Sequence, residues 1–182
     1  MKKYTVLTAI TLFIAMTFST GTLAQKFSKL DVSPMDAAAY PSDYKNSLKE
    51  IKIIYSRPQL KGRELGTLAK NGEVWRTGAN EANELTLYTD MYLGETLVKA
   101  GTYTFYTIPG EKEWTAIINS DLNVWGAYFY NPDKDVARIT VPVTMDDESL
   151  EAFSIAFDGN MDGVTMNLGW GNVRVAVPFT KK

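Results

Sequence analysis

Nine short strand-like runs, separated by turn-formers, most constrain what this chain can become. They are EIKIIYSR, ELTLYT, TYTFYTI, WTAIIN, WGAYFY, ARITVPV, EAFSIAF, VTMNLGW and VRVAVPF. Side chains on a strand alternate between faces, so Ile51, Ile53 and Tyr55 share one side, as do Leu85 and Leu87 opposite Thr86 and Tyr88. Pro109-Gly110, Asn131-Pro132, Asp158-Gly159 and Asp162-Gly163 punctuate the series. Runs this short, rich in β-branched and aromatic residues, predict an all-β chain: an antiparallel β-sandwich, jelly-roll-like. Only residues 64–70 carry a weak helical pattern. No repeat or linker interrupts residues 50–182, which read as one domain. Residues 25–49, with Pro34, Pro41 and three consecutive alanines, read as an irregular N-terminal arm over it. Pro142 and Pro178 lack a ladder donor, so their strands should be edges or carry bulges there.

The chain has no cysteine, so no disulfide braces it and no lipid-modified thiol tethers it. Lys2 and Lys3 precede VLTAITLFIAMTF and a small-residue exit ending TLA before Gln25. That order describes a secretory signal peptide over residues 1–24, its apolar run shorter than the ~20 residues of a membrane span. Cleavage there leaves 158 residues with 17 basic and 21 acidic side chains. A domain of that size buries about two-thirds of its unfolded surface, enough to fold without covalent staples. The expected compartment is periplasmic or secreted, with no membrane span after cleavage. The formal net charge of -2 offers no basic face for phosphate backbones, so nucleic acid is not an expected partner.

Histidine is absent throughout. Its absence excludes Ser-His-Asp catalysis, imidazole proton transfer and imidazole-built zinc or copper sites. Without cysteine there are no thiolate nucleophiles or iron–sulfur clusters, and no phosphate-cradling glycine loop or dinucleotide fingerprint is present. The remaining chemistry rests on carboxylates, Lys, Tyr, Ser/Thr, or a hard cation held by oxygen.

Two neighbouring stretches concentrate polar groups, YSRPQLKGRELG and VWRTGANEAN. They supply Arg57, Lys61, Arg63, Arg76, Asn80, Glu81 and Glu84, with Gly62, Gly66 and Gly78 between them. Converging arginines make an anion clamp, because the planar guanidinium fork matches carboxylate, phosphate or sulfate. Trp75 beside Arg76 would add a stacking face for a sugar or aromatic ligand. The competing reading is structural: Arg76 with Glu81, or Arg57 with Glu84, pair internally and tie a long loop to the sandwich. A catalytic reading needs a bend that brings Glu81 and Glu84 together, since residues three apart on a strand face opposite ways.

DGNMDG places Asp158, Asn160 and Asp162 at the alternate positions of a calcium loop, followed by Gly163. Gly169 stands where the twelfth-position acid belongs, and Asp, Asn and Gly also populate ordinary β-turns. No other cofactor is expected. In WGAYFY, strand alternation puts Trp125, Ala127 and Phe129 on one face, Tyr128 and Tyr130 on the other. The tyrosine face is the better sugar platform, because each ring carries a polar tip on an apolar body.

The strings YSRPQLKGRELG, VWRTGANEAN, AGTYTFYTIPGEKEWTAIIN and WGAYFY, with a closing strand ending VPF, resemble a family of exported Bacteroidota proteins, domain of unknown function 2911. The likeness runs from about Ser33 to Phe179, departing at Asn83 and at Leu65 with a shortened turn before Gly72. It implies secretion and a β-rich fold, and brings no activity. It also suggests Arg57, Gly62, Arg63, Trp75, Arg76, Gly78, Asn80 and Glu81 as the family's signature.

Together these features favour a non-catalytic envelope binding domain for an anionic or carbohydrate ligand. Arg57, Arg63 and Arg76 would hold it, Asn80 and Glu81 would orient it, and Trp75 would stack on it. The alternatives are an interaction subunit of an outer-membrane protein assembly, meeting an envelope protein through its edges, and a hydrolase built on Glu81 or Glu84.

Overall fold

Ile51 and Ile53 are fully buried and Tyr55 nearly so, as their alternation requires. Their strand, β2 (Ile51–Ser56), pairs with β1 (Met35–Tyr40) and with β3 (Asn83–Leu87), aligning Ile53 with Leu85 and Ile51 with Leu87. The computed structural model describes residues 25–182. The expected signal peptide, residues 1–24, lies outside the described residues.

Among the described residues the remaining elements are one helical turn, α1 (Leu65–Leu68), and strands β4 (Met91–Leu93), β5 (Thr96–Val98), β6 (Gly101–Ile108), β7 (Glu113–Asn119), β8 (Asp135–Gly159) and β9 (Gly163–Lys181). A short 3-10 turn, Pro132–Lys134, precedes β8. All paired strands are antiparallel, in the order β1-β2-β3-β6-β7-β8-β9-β4-β5. The fold is therefore all-β and antiparallel, built from one continuous open sheet. Among the described residues no helix is long and apolar enough to cross a membrane.

Three readings of the pattern change. The segment expected to be an irregular arm contains β1, whose residues pair with β2 from Met35↔Ser56 to Tyr40↔Ile51. ARITVPV and EAFSIAF are halves of one 25-residue strand, and VTMNLGW and VRVAVPF are likewise continuous in β9. The interruption between the first pair is the acidic stretch DDESLE, where β8 slips register twice against β9. Such bulges bend a strand without ending it.

Pro142 and Pro178 mark changes of partner. Residues of β8 up to Pro142 pair with β7, and from Val143 onward with β9. In β9 the partner is β8 up to Val175 and β4 from Phe179. A residue without an N–H sits where the ladder changes hands.

Beyond β2 the chain returns to the second half of β8. Leu60 donates to Glu151 O at 2.9 Å, and Phe153 donates to Pro58 O at 2.9 Å. The sheet thus folds over one core. Tyr55 and Trp114 come from one half, Phe153 and Trp170 from the other, and Trp75 joins them. Trp75 stacks on Trp170 at 5.5 Å and meets Trp114 and Phe153 edge-on at 5.9 and 5.1 Å. Each buried ring contributes about 1.5–3 kcal/mol by area, and each pair about 0.5–1.5 kcal/mol more.

Candidate ligand-binding site

VWRTGANEAN begins as a strand fragment. Trp75 N donates to Thr107 O at 2.7 Å and Thr107 N to Trp75 O at 3.0 Å. That pairing sends the Trp75 ring into the core, where it is 7% exposed, so it is unavailable to stack on a ligand. The chain then turns through Thr77 and Asn80, both at positive φ. Gly78 lies against β2 so closely that a Cβ would stand 2.8 Å from Ser56 O. Buried Thr77 shares a hydrogen bond with Thr107 Oγ1 at 3.0 Å, and Asn83 Nδ2 donates to Thr77 O at 2.6 Å. These polar groups hold the turn in place.

The second half of the motif zips onto the loop between β7 and β8. Ala82 N donates to Val124 O at 3.0 Å, Gly126 N donates to Asn80 O at 3.1 Å, and Glu81 bridges Trp125. WGAYFY is consequently a turn-rich loop and not the strand its alternation predicts. Asn123 and Gly126 both adopt positive φ, which a strand does not accommodate, and the backbone partners come from residues 80–82. Trp125, Tyr128 and Phe129 are left 54, 76 and 76% exposed.

The base of this loop is clamped. Asn119 Nδ2 donates to Asn131 O at 2.9 Å and to Asp135 Oδ1 at 2.8 Å, while Tyr130 OH and Arg138 Nε both donate to Asp135 Oδ2. Tyr130 also packs edge-on against Tyr106 at 5.2 Å. Burial, then the hydrogen bond to Asp135, pushes the Tyr130 phenol up to about 12. Burial, with Asp121 and Asp135 nearby, does the same for Tyr106, also to about 12. Both stay protonated near neutrality. The only sequence signal for this clamp is the Asn131-Pro132 turn-former, whose Asn131 caps the 3-10 turn through Asp133 N.

Between α1 and the loop lies an open groove of about 270 Å³, lined by Thr67, Lys70, Glu73, Arg76, Ala127 and Tyr128 among others. Lys70 and Glu73 pair at 3.6 Å. A Cβ on Gly126 would stand 3.0 Å from the Tyr128 ring and 3.4 Å from an Arg76 terminal nitrogen, so ring and guanidinium flank one point. Arg76 makes no hydrogen bond or ion pair with any described residue, and its Nε is buried without a partner. Asn80 and the exposed Glu81 follow four and five residues on and are not among the residues that line this groove.

The other two arginines are engaged by the protein. Arg57 donates to Phe153 O at 3.0 Å, Asp36 Oδ2 at 3.0 Å and Ser154 Oγ at 2.6 Å, bracing β1 and β2 against β8. Its ion partner is Asp36, not Glu84. Arg63 turns back on its own loop, donating to Leu60 O at 2.9 Å and Gln59 O at 2.8 Å. Carbonyls in reach outcompete convergence, so the expected three-arginine clamp reduces to Arg76.

Glu81 and Glu84 do line a common groove, about 260 Å³, with Ser56, Thr104, Leu122 and Val124. No arginine lines it. Asp158, Asn160 and Asp162 fall at the β8–β9 hairpin. Asn160 Oδ1 accepts from Asp162 N at 2.8 Å and Gly163 N at 3.1 Å, and Asp158 Oδ2 accepts from Asn167 Nδ2 at 3.0 Å. Among the described residues no three Asp, Glu, His or Cys side chains gather as metal ligands. Asn160 thus caps the hairpin turn, and Asp158 pairs across the two strands.

The model of one family, described as a protein of unknown function (DUF2911), matches residues 33–179. The chain belongs to the DUF2911 family. The match spans both halves of the sheet, the Arg76 groove and the aromatic loop of this DUF2911 chain. No curated protein and no solved structure matches it.

Proposed function

We propose that this DUF2911 chain is a non-catalytic binding domain of the cell envelope, and that it engages an anionic or carbohydrate ligand in the groove beside Arg76. Export to the periplasm or beyond is part of this reading, supported by the charged, apolar and small-residue order of residues 1–24. One observation carries it. Of Arg57, Arg63 and Arg76, only Arg76 keeps its donors unspent, and it does so in an open groove beside an exposed aromatic loop. A guanidinium retained without a partner is a poor brace and a good receptor for an acceptor from outside.

Calorimetric titration of the chain and its Arg76→Ala variant with a panel of anionic and neutral saccharides tests the reading. Binding by the parent and none by a variant of equal thermal stability is the expected result. Loss of the fold in the variant would make Arg76 a structural brace.

The shared groove of Glu81 and Glu84 favours a second reading, a carboxylate-based hydrolase. It ranks lower because nothing cationic lines that groove to stabilise developing negative charge. Turnover of a glycoside or ester that disappears in Glu84→Gln would reverse the ranking.

A further inference from the structure

Resting on the binding reading above, we infer that the Arg76 groove takes one uronic-acid residue of a saccharide chain, its carboxylate on the guanidinium and its ring face on Tyr128. Charge sets the first limit. Lys70 is paired with Glu73, which leaves Arg76 as the groove's single uncompensated charge. One positive charge balances one carboxylate. A phosphate dianion calls for more, and the two other arginines of the motif are held by Asp36, Ser154 and backbone carbonyls.

Shape sets the second limit. The guanidinium fork accepts a planar carboxylate through two parallel hydrogen bonds. The groove's volume of about 270 Å³ is just under the roughly 300–1,000 Å³ typical of drug-sized sites, which suits one six-membered ring rather than a longer segment lying wholly inside.

The aromatics supply the third. Tyr128 offers an apolar face with a polar tip beside the charge, and Gly126 lets the ring and Arg76 approach the same point. Trp125 and Phe129 are exposed on the same loop as Tyr128, which adds aromatic surface for further sugar residues. The clamp of Asn119, Tyr130, Asp135 and Arg138 holds this platform in advance of binding, so little ordering opposes association.

The test is calorimetry and NMR titration of the full chain with methyl glucuronide, methyl glucoside, acetate, inorganic phosphate, a sulfated monosaccharide and an oligoglucuronide. Methyl glucuronide should bind, with methyl glucoside and acetate each at least about tenfold weaker, because each carries half of the recognised group. The oligoglucuronide should bind more tightly than the monomer. Arg76→Met should remove glucuronide binding, and Tyr128→Ala should weaken it about tenfold with the melting temperature unchanged. Phosphate or the sulfated sugar binding as tightly as glucuronide overturns the inference and leaves an anion-binding domain. Methyl glucoside binding equally, insensitive to Arg76→Met, overturns it in favour of a neutral-sugar site. Silence from every probe overturns both this inference and the reading on which it rests.

Discussion

Replacing Arg76 by Met should make the protein more stable and unable to bind. Met keeps an unbranched stem of similar reach and removes the Nε–H that is buried without an acceptor. An unsatisfied buried donor costs about 1–3 kcal/mol. Arg76 is only half-buried, and its terminal nitrogens have no internal bonds to lose, so the lower end applies, a gain of about 1 kcal/mol. For a chain of this length that is a rise of roughly 2–4 °C in the melting temperature. Ligand at a hundredfold excess over Kd should raise the parent by about 2.7 kcal/mol more, and the variant not at all. Scanning calorimetry with and without methyl glucuronide reads both effects. A drop of 2 °C or more in the ligand-free variant would refute the reasoning, because it would mean that Arg76 holds the loop and is not spare.

Arg57→Met should move the other way, losing about 1–3 kcal/mol in urea denaturation, since its fork closes on Asp36, Ser154 and Phe153 O. Trp75→Ala, which empties the centre of the aromatic cluster, should lose about 3–5 kcal/mol and be visible as loss of near-UV dichroism at physiological temperature. Gly126→Ala should weaken saccharide binding more than stability. It places a Cβ at positive φ for about 1–2 kcal/mol and drives it against Tyr128, which titration of the folded variant would detect. At alkaline pH the phenols of Tyr106 and Tyr130 act together. Their folded values near 12 lie above the ordinary 10, so their contribution is complete below pH 10 and fades as pH rises towards 12. Tyr130→Phe should flatten that alkaline loss in a stability–pH profile; an unchanged profile would contradict the shift.

Much of the fold was legible because a sheet half-facing a core imposes a two-residue period on whatever sequence forms it. Ile51, Ile53, Leu85 and Leu87 announce their inward faces without any knowledge of partners. What the pattern cannot carry is which strand continues through an interruption. DDESLE looks like a loop because its residues are polar, yet an exposed bulge tolerates polarity and lets β8 run on. The same local blindness made WGAYFY look like a strand. Its aromatic alternation is real, and the left-handed turns at Asn123 and Gly126, fixed by contacts with residues 80–82, override it. MDAAAY hid β1 for the opposite reason, since alanines carry little strand signal and the pairing comes from β2.

The site was half legible. Of the motif's polar residues Arg76 lines the groove, whereas Asn80 and Glu81 do not, and Glu81 lines the neighbouring groove with Glu84. Arg57 and Arg63 share their residue type and differ only in what lies within reach of the fork, a tertiary fact. Trp75 was misassigned because one pairing with Thr107 decides which way alternate side chains point.

The two proline handovers have a consequence for how the molecule comes apart. Because β8 and β9 each serve both halves of the sheet, neither half owns a full set of partners, and severing the backbone at either proline would strand both pieces. The local β8–β9 hairpin can zip early. Capture of β9 by Met91–Leu93 must wait for distant chain to arrive. Melting should accordingly proceed in a single step, with no surviving half-molecule to trap.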